Sequence, residues 1–81
     1  MKLQILTPDK VVFSDETNKV YLVQLPGIDG SFEIMNDHAP LISVLKKGDI
    51  RVLIKDQPQQ IFPINGGVIE VLNNNVQVLA E

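Results

Sequence analysis

A chain of 81 residues holds one domain, here residues 1–81, and a domain that small has little interior with which to offset the entropy of ordering its backbone. It has no cysteine and one histidine, which excludes a disulfide framework and a Cys/His zinc site and fits a reducing, intracellular compartment. Its ten acidic and seven basic residues leave a net charge of -3 with no basic stripe, so nucleic acid is not an expected partner.

In chain order, short β-branched runs predict strands at Lys2 to Leu6, Val11 to Ser14, Lys19 to Leu25, Ser31 to Met35, Leu41 to Lys46, Asp49 to Lys55, Gln59 to Phe62, Gly67 to Leu72 and Val76 to Ala80. Between them lie turn signals at Thr7-Pro8-Asp9-Lys10, Pro26-Gly27-Ile28-Asp29-Gly30, Lys47-Gly48, Asp56-Gln57-Pro58, Asn65-Gly66 and Asn73-Asn74-Asn75. Glycine and asparagine there accept positive φ, and proline presets its own. Lys46 and Lys47 read as part of a solvated turn. The segment from Pro40 to Gly48 also has helix punctuation, with proline at the start and glycine at the end. The β-branched Ile42 and Val44, two apart on one strand face, favour the strand.

No stretch of helical length shows a 3.6-residue period, so the expectation is all-β: a flattened antiparallel β-sandwich of about nine to ten short strands. The connections are too short for parallel crossovers, which points to hairpins and meanders. The apolar fraction, 44%, is high for so little interior, which fits apolar surface left for a partner and equally fits a two-layered β fold that needs that many apolar side chains.

No chemistry is written in the chain. His38 beside Asp37 is a poor dyad, because neighbours on an extended chain point opposite ways, and a nucleophile elbow is missing. Gly27-Ile28-Asp29-Gly30 and Asn65-Gly66-Gly67 lack the Walker spacing and its Lys-Ser/Thr. The acidic residues are dispersed, with Asp29 and Glu33 the nearest pair. A non-catalytic protein without cofactor or metal is the expectation. A free-standing β-sandwich module for peptides or carbohydrate is one such function, although the chain has no Trp, one Tyr and three Phe to line a groove.

The run Pro26-Gly27-Ile28-Asp29-Gly30-Ser31-Phe32-Glu33-Ile34-Met35-Asn36-Asp37-His38-Ala39-Pro40-Leu41, with Gly48 and Gly66-Gly67-Val68-Ile69-Glu70-Val71, resembles the N-terminal domain of the epsilon subunit of bacterial F-type ATP synthases. The opening Leu3-Gln4-Ile5-Leu6-Thr7-Pro8-Asp9-Lys10 and the closing Asn75-Val76-Gln77-Val78-Leu79-Ala80 extend the resemblance over the whole chain. It departs from the family at Glu33, where glycine is usual, and at Met35 and Asn36, where Leu-Pro is common.

The resemblance implies a rotor subunit of the central stalk, joining the gamma subunit to the ring of c subunits at the cytoplasmic face of the bacterial membrane, peripheral and without homo-oligomers. It implies a contact with the c-ring at Gly27, Ile28, Asp29, Gly30, Ser31 and Phe32, and a contact with gamma at Asp9, Lys10, His38, Ala39 and Ser43. Family members usually continue into two C-terminal helices. A subunit ending at Glu81 is expected to couple without imposing the inhibition those helices exert.

Overall fold

The computed structural model describes residues 1–81 throughout and is all-β. Seven strands form one continuous sheet: β1 Lys2–Leu6, β2 Val11–Asp15, β3 Val20–Gly27, β4 Gly30–Met35, β5 Leu41–Ile54, β6 Gln60–Leu72 and β7 Asn75–Ala80, in the order β2-β1-β7-β6-β5-β3-β4. The ambiguous segment is strand from Leu41 onward, as Ile42 and Val44 argued.

The strand count is lower than the expected nine because two pairs of predicted strands are each one long strand. Lys47-Gly48 and Asn65-Gly66 are not turns. They lie opposite one another within the β5–β6 ladder, whose pairing keeps one register from Leu41↔Val71 to Val52↔Gln60. What the residues allow is a change of facing. In β5 the inward residues are Leu45 and then Ile50, Val52 and Ile54, so the buried positions pass from odd to even across the exposed Lys46 and Lys47. In β6 Ile64 precedes Gly66 and Gly67, and Ile69 and Val71 follow. The two glycines carry φ of +144° and +150°, values L side chains rarely adopt, so the ladder can coil there without breaking.

The bend folds the sheet into a sandwich. One layer holds β2, β1, β7, the second half of β6 and the first half of β5. The other holds the first half of β6, the second half of β5, β3 and β4. Seventeen buried hydrophobic residues fill the space between, among them Leu3, Ile5, Val23, Leu25, Ile50, Val52, Ile69 and Val78. Phe13 and Phe62 close one side, their ring centroids 5.3 Å apart.

The sheet is not wholly antiparallel. β1 and β7 pair in parallel from Lys2↔Asn75 to Leu6↔Leu79. The short connections exclude parallel pairing only between successive strands, whereas here the whole chain between the first and last strand serves as the crossover. Met1 is buried beside this seam, and its amine donates to the Val20 carbonyl at 3.0 Å and to Asn36 Oδ1.

Candidate docking surfaces

The predicted loop from Gly27 to Phe32 is the tip of the β3–β4 hairpin. Gly27 pairs with Gly30 across the Ile28-Asp29 turn. A Cβ on Gly27 would lie 2.6 Å from the Gly30 carbonyl oxygen and 2.8 Å from the Phe32 ring, so glycine lets the ring cover the base of the turn. The Ile28 N–H donates to the Val44 carbonyl at 3.1 Å and ties the tip to β5. Ile28 is nonetheless more than half exposed, as are Ile42 and Val44 across an open groove of about 370 Å³. Of the predicted acidic pair only Asp29 belongs to the tip. Glu33 lies farther along β4, 3.8 Å from Arg51 Nη2, and Arg51 Nε donates to Gln24 Oε1 at 3.1 Å.

The second set of predicted residues is not one cluster. Asp9 and Lys10 sit in the β1–β2 turn, where the Thr7 hydroxyl oxygen accepts their N–H groups at 3.3 and 3.2 Å. His38 and Ala39 lie in the β4–β5 connection. The register puts the first pair at the Leu79 end of the β2–β1–β7–β6–β5 layer and the second at the Asn75 end, on the opposite edge. Four strand spacings of about 4.8 Å, roughly 19 Å, separate the two edges. Ser43 is half-buried on β5, shares inward parity with Leu41 and Leu45, and lines the groove beside the hairpin tip. His38 makes no dyad: its Nδ1 lies 2.7 Å from the Ala39 carbonyl oxygen.

Between these corners lies an apolar surface whose residues reading the sequence did not place. Val44 pairs with Val68, Val68 with Leu79, Leu79 with Leu6, and Leu6 with Val11. Residues directly opposite share a face, so five apolar side chains form a row across the outside of the layer. Val11, Val44 and Leu79 are each more than half exposed, and Ile42, at 72%, extends the row along β5. The next row is polar, running from Ser14 through Gln4 and Gln77 to Glu70, with Gln77 Nε2 donating to Gln4 Oε1 at 3.5 Å. An apolar strip with a polar border is the layout of a protein contact. The signal was present in Val76-Gln77-Val78-Leu79, where inward Val76 and Val78 force Leu79 outward.

No three His, Cys, Asp or Glu side chains converge as a metal site would need. One carboxylate is perturbed, away from both surfaces. The Thr17 hydroxyl and N–H donate to Asp15 Oδ1 at 2.6 and 2.7 Å and hold its pKa below the usual carboxylate range.

The family described as ATP synthase, Delta/Epsilon chain, beta-sandwich domain matches residues 1–81. An ATP synthase epsilon chain of Chlorobium limicola is 44% identical over 80 residues, covering 99% of this chain and 88% of the relative. That of Chlorobaculum tepidum is 40% identical over 79 residues, covering 98% and 86%. The epsilon chain of Desulforamulus reducens is 43% identical over 82 residues, and there the match covers 99% of this chain but 58% of the relative. Among solved structures, a chain of the Tetrahymena thermophila mitochondrial ATP synthase central stalk and c-ring has a TM-score of 0.84 at 18% identity, over 99% of this chain and 62% of that one. This last likeness carries the fold.

Proposed function

The chain belongs to the ATP synthase delta/epsilon β-sandwich family, and we propose that it is a non-catalytic central-stalk subunit of an ion-translocating ATP synthase. In that role it links the gamma subunit to the c-ring and helps couple ion flow to ATP synthesis. The observation that carries this reading is its kinship with epsilon chains along its whole length. The two surfaces fit such a linker, because a rotor part must grip two bodies at once.

The outer layer is the gamma side. A single partner touching Asp9 and Lys10 at one corner and His38 and Ala39 at the other would cover the apolar row from Val11 to Val44, and burying it is favourable at about 25 cal/mol per Å² of apolar area. The hairpin tip is the c-ring side. Its small turn, close backbone and single charge at Asp29 suit contact with polar loops. Membrane association follows from the complex alone, at the cytoplasmic face of the bacterial membrane.

Cysteines placed singly at Ser31 and at Leu79 in the assembled enzyme test the assignment. Ser31→Cys is expected to cross-link to a c subunit and Leu79→Cys to gamma. Cross-linking of Ser31→Cys to gamma alone would show that the hairpin tip has been assigned to the wrong partner.

A further inference from the structure

At the Asn75 end of the sandwich, segments far apart in sequence are tied by side-chain amides. Asn74, in the β6–β7 turn of one layer, accepts the Asp37 N–H on its Oδ1 at 2.8 Å. Asp37 belongs to the turn that leaves β4 in the other layer. The Asn74 carbonyl meanwhile accepts the Lys2 N–H at 3.1 Å, at the start of β1. Asn36, beside Asp37, accepts from the Met1 amine on its own Oδ1. Asp37 and Asn74 both have φ of +61°, a conformation that Asn and Asp tolerate better than other non-glycine residues.

His38 and Ala39 follow directly on this turn. The segment from Asn36 to Pro40 takes part in none of the backbone hydrogen bonds formed outside the strands, and the His38 ring's one hydrogen-bond partner is its neighbour's carbonyl. Apart from the chain itself, which enters the outer layer at Leu41, the ties that fix its Asn36-Asp37 turn are the two asparagine side chains, and Asn74 is the one that reaches across from that layer. We infer that Asn74 is a positioning residue: its amide oxygen holds the Asn36-Asp37 turn against the opposite layer and so sets how His38 and Ala39 are presented to gamma. This rests on the function proposed above.

Two substitutions separate side chain from backbone. Asn74→Gly keeps the positive φ and the carbonyl but removes the acceptor, whereas Asn74→Asp keeps an acceptor oxygen. In the full chain, hydrogen exchange at the Asp37 amide is expected to speed up about tenfold in Asn74→Gly and to stay near the parent rate in Asn74→Asp. Binding to purified gamma, measured at a temperature where every variant is folded, is expected to weaken about threefold to tenfold in Asn74→Gly and to be restored in Asn74→Asp, as loss of one hydrogen bond predicts. A general structural role would lower the melting temperature and leave affinity unchanged. Unchanged exchange in Asn74→Gly, or faster exchange with parent-like affinity, overturns the inference. Failure of the parent chain to bind gamma overturns the proposed function and the gamma half of this inference, while the exchange result still decides whether Asn74 holds the turn.

Discussion

Gly67→Ala is the most informative substitution in the bend, because the structure supplies its own control. A Cβ on Gly67 would stand 2.3 Å from the Leu79 carbonyl oxygen and 3.0 Å from the Ala80 Cα. Both are backbone atoms of the strand paired to it, so relief requires opening the β6–β7 ladder. The φ of +150° adds a conformational cost of its own. Gly30 has a similar φ, +133°, but a Cβ there meets nothing within 4 Å. Gly30→Ala thus isolates the dihedral cost, about 1–2 kcal/mol. Gly67→Ala adds an overpacking cost of about 1–3 kcal/mol, for a total of about 2–5 kcal/mol. A chain of this length has roughly 4–12 kcal/mol of stability, so the variant should lose a large share of it while Gly30→Ala remains native. Urea titration measures both, read at constant m-value. If the two midpoints imply free energies within about 1 kcal/mol of each other, the steric argument at Gly67 fails.

Ile69→Ala, at a site with no exposure in the centre of the core, is expected to cost about 2–5 kcal/mol by the same titration. Leu79→Asp, on the outer row, should leave the midpoint within about 0.5 kcal/mol and abolish binding to gamma in a pull-down, since that side chain is 53% exposed in the free chain. Thr17→Val removes the hydroxyl donor to Asp15, so the Asp15 pKa, followed by NMR titration, should rise toward the ordinary value. Because that pKa is depressed in the folded state, Asp15 stabilises above its unfolded pKa, and the contribution is lost as pH falls through the folded one. The variant should show a correspondingly flatter acid limb of stability.

The all-β class was legible because alternation at Val76-Gln77-Val78 and the turn chemistry at Asp56 and Asn73-Asn74 are local signals, and those turns do carry positive φ. The merging of strands was not legible. Glycine takes positive φ in a hairpin turn and in a coiled strand alike, so Gly66 and Gly67 read as a loop until the register of β5 on β6 is known. The parallel seam of β1 and β7 depends on the closure of the whole sheet, which no local window contains. The outer apolar row was hidden for a related reason. Its members are assigned outward only once the parity change in β5 and β6 is fixed, and the sequence alone placed Ile42 and Val44 on one face without saying which.

The two proposed contacts are centred on different layers, which are joined through the bend in β5 and β6. More directly, the hairpin tip is tied to the first half of β5 by the Gly27↔Leu45 pair and the Ile28 N–H bond to the Val44 carbonyl. The base of the hairpin also abuts the bend itself, where a Cβ on Gly48 would lie 2.8 Å from the Pro26 Cβ. Pro26 is buried and immediately precedes Gly27, and its ring cannot swing aside as a flexible side chain would. Gly48 has no unusual φ, so alanine there brings a steric demand and no dihedral strain. The expected response of Gly48→Ala is a cost of about 1–3 kcal/mol and an outward shift of the hairpin base. Amide resonances of Ile28, Asp29 and Ser31 should then move, while those of Leu3, Gln77 and Val78, in the far layer, stay in place. In the assembled enzyme the same variant should weaken cross-linking from position 31 and spare cross-linking from position 79. Equal shifts in both layers would mean that the bend does not insulate one contact from the other, and that the sandwich responds as a single rigid block.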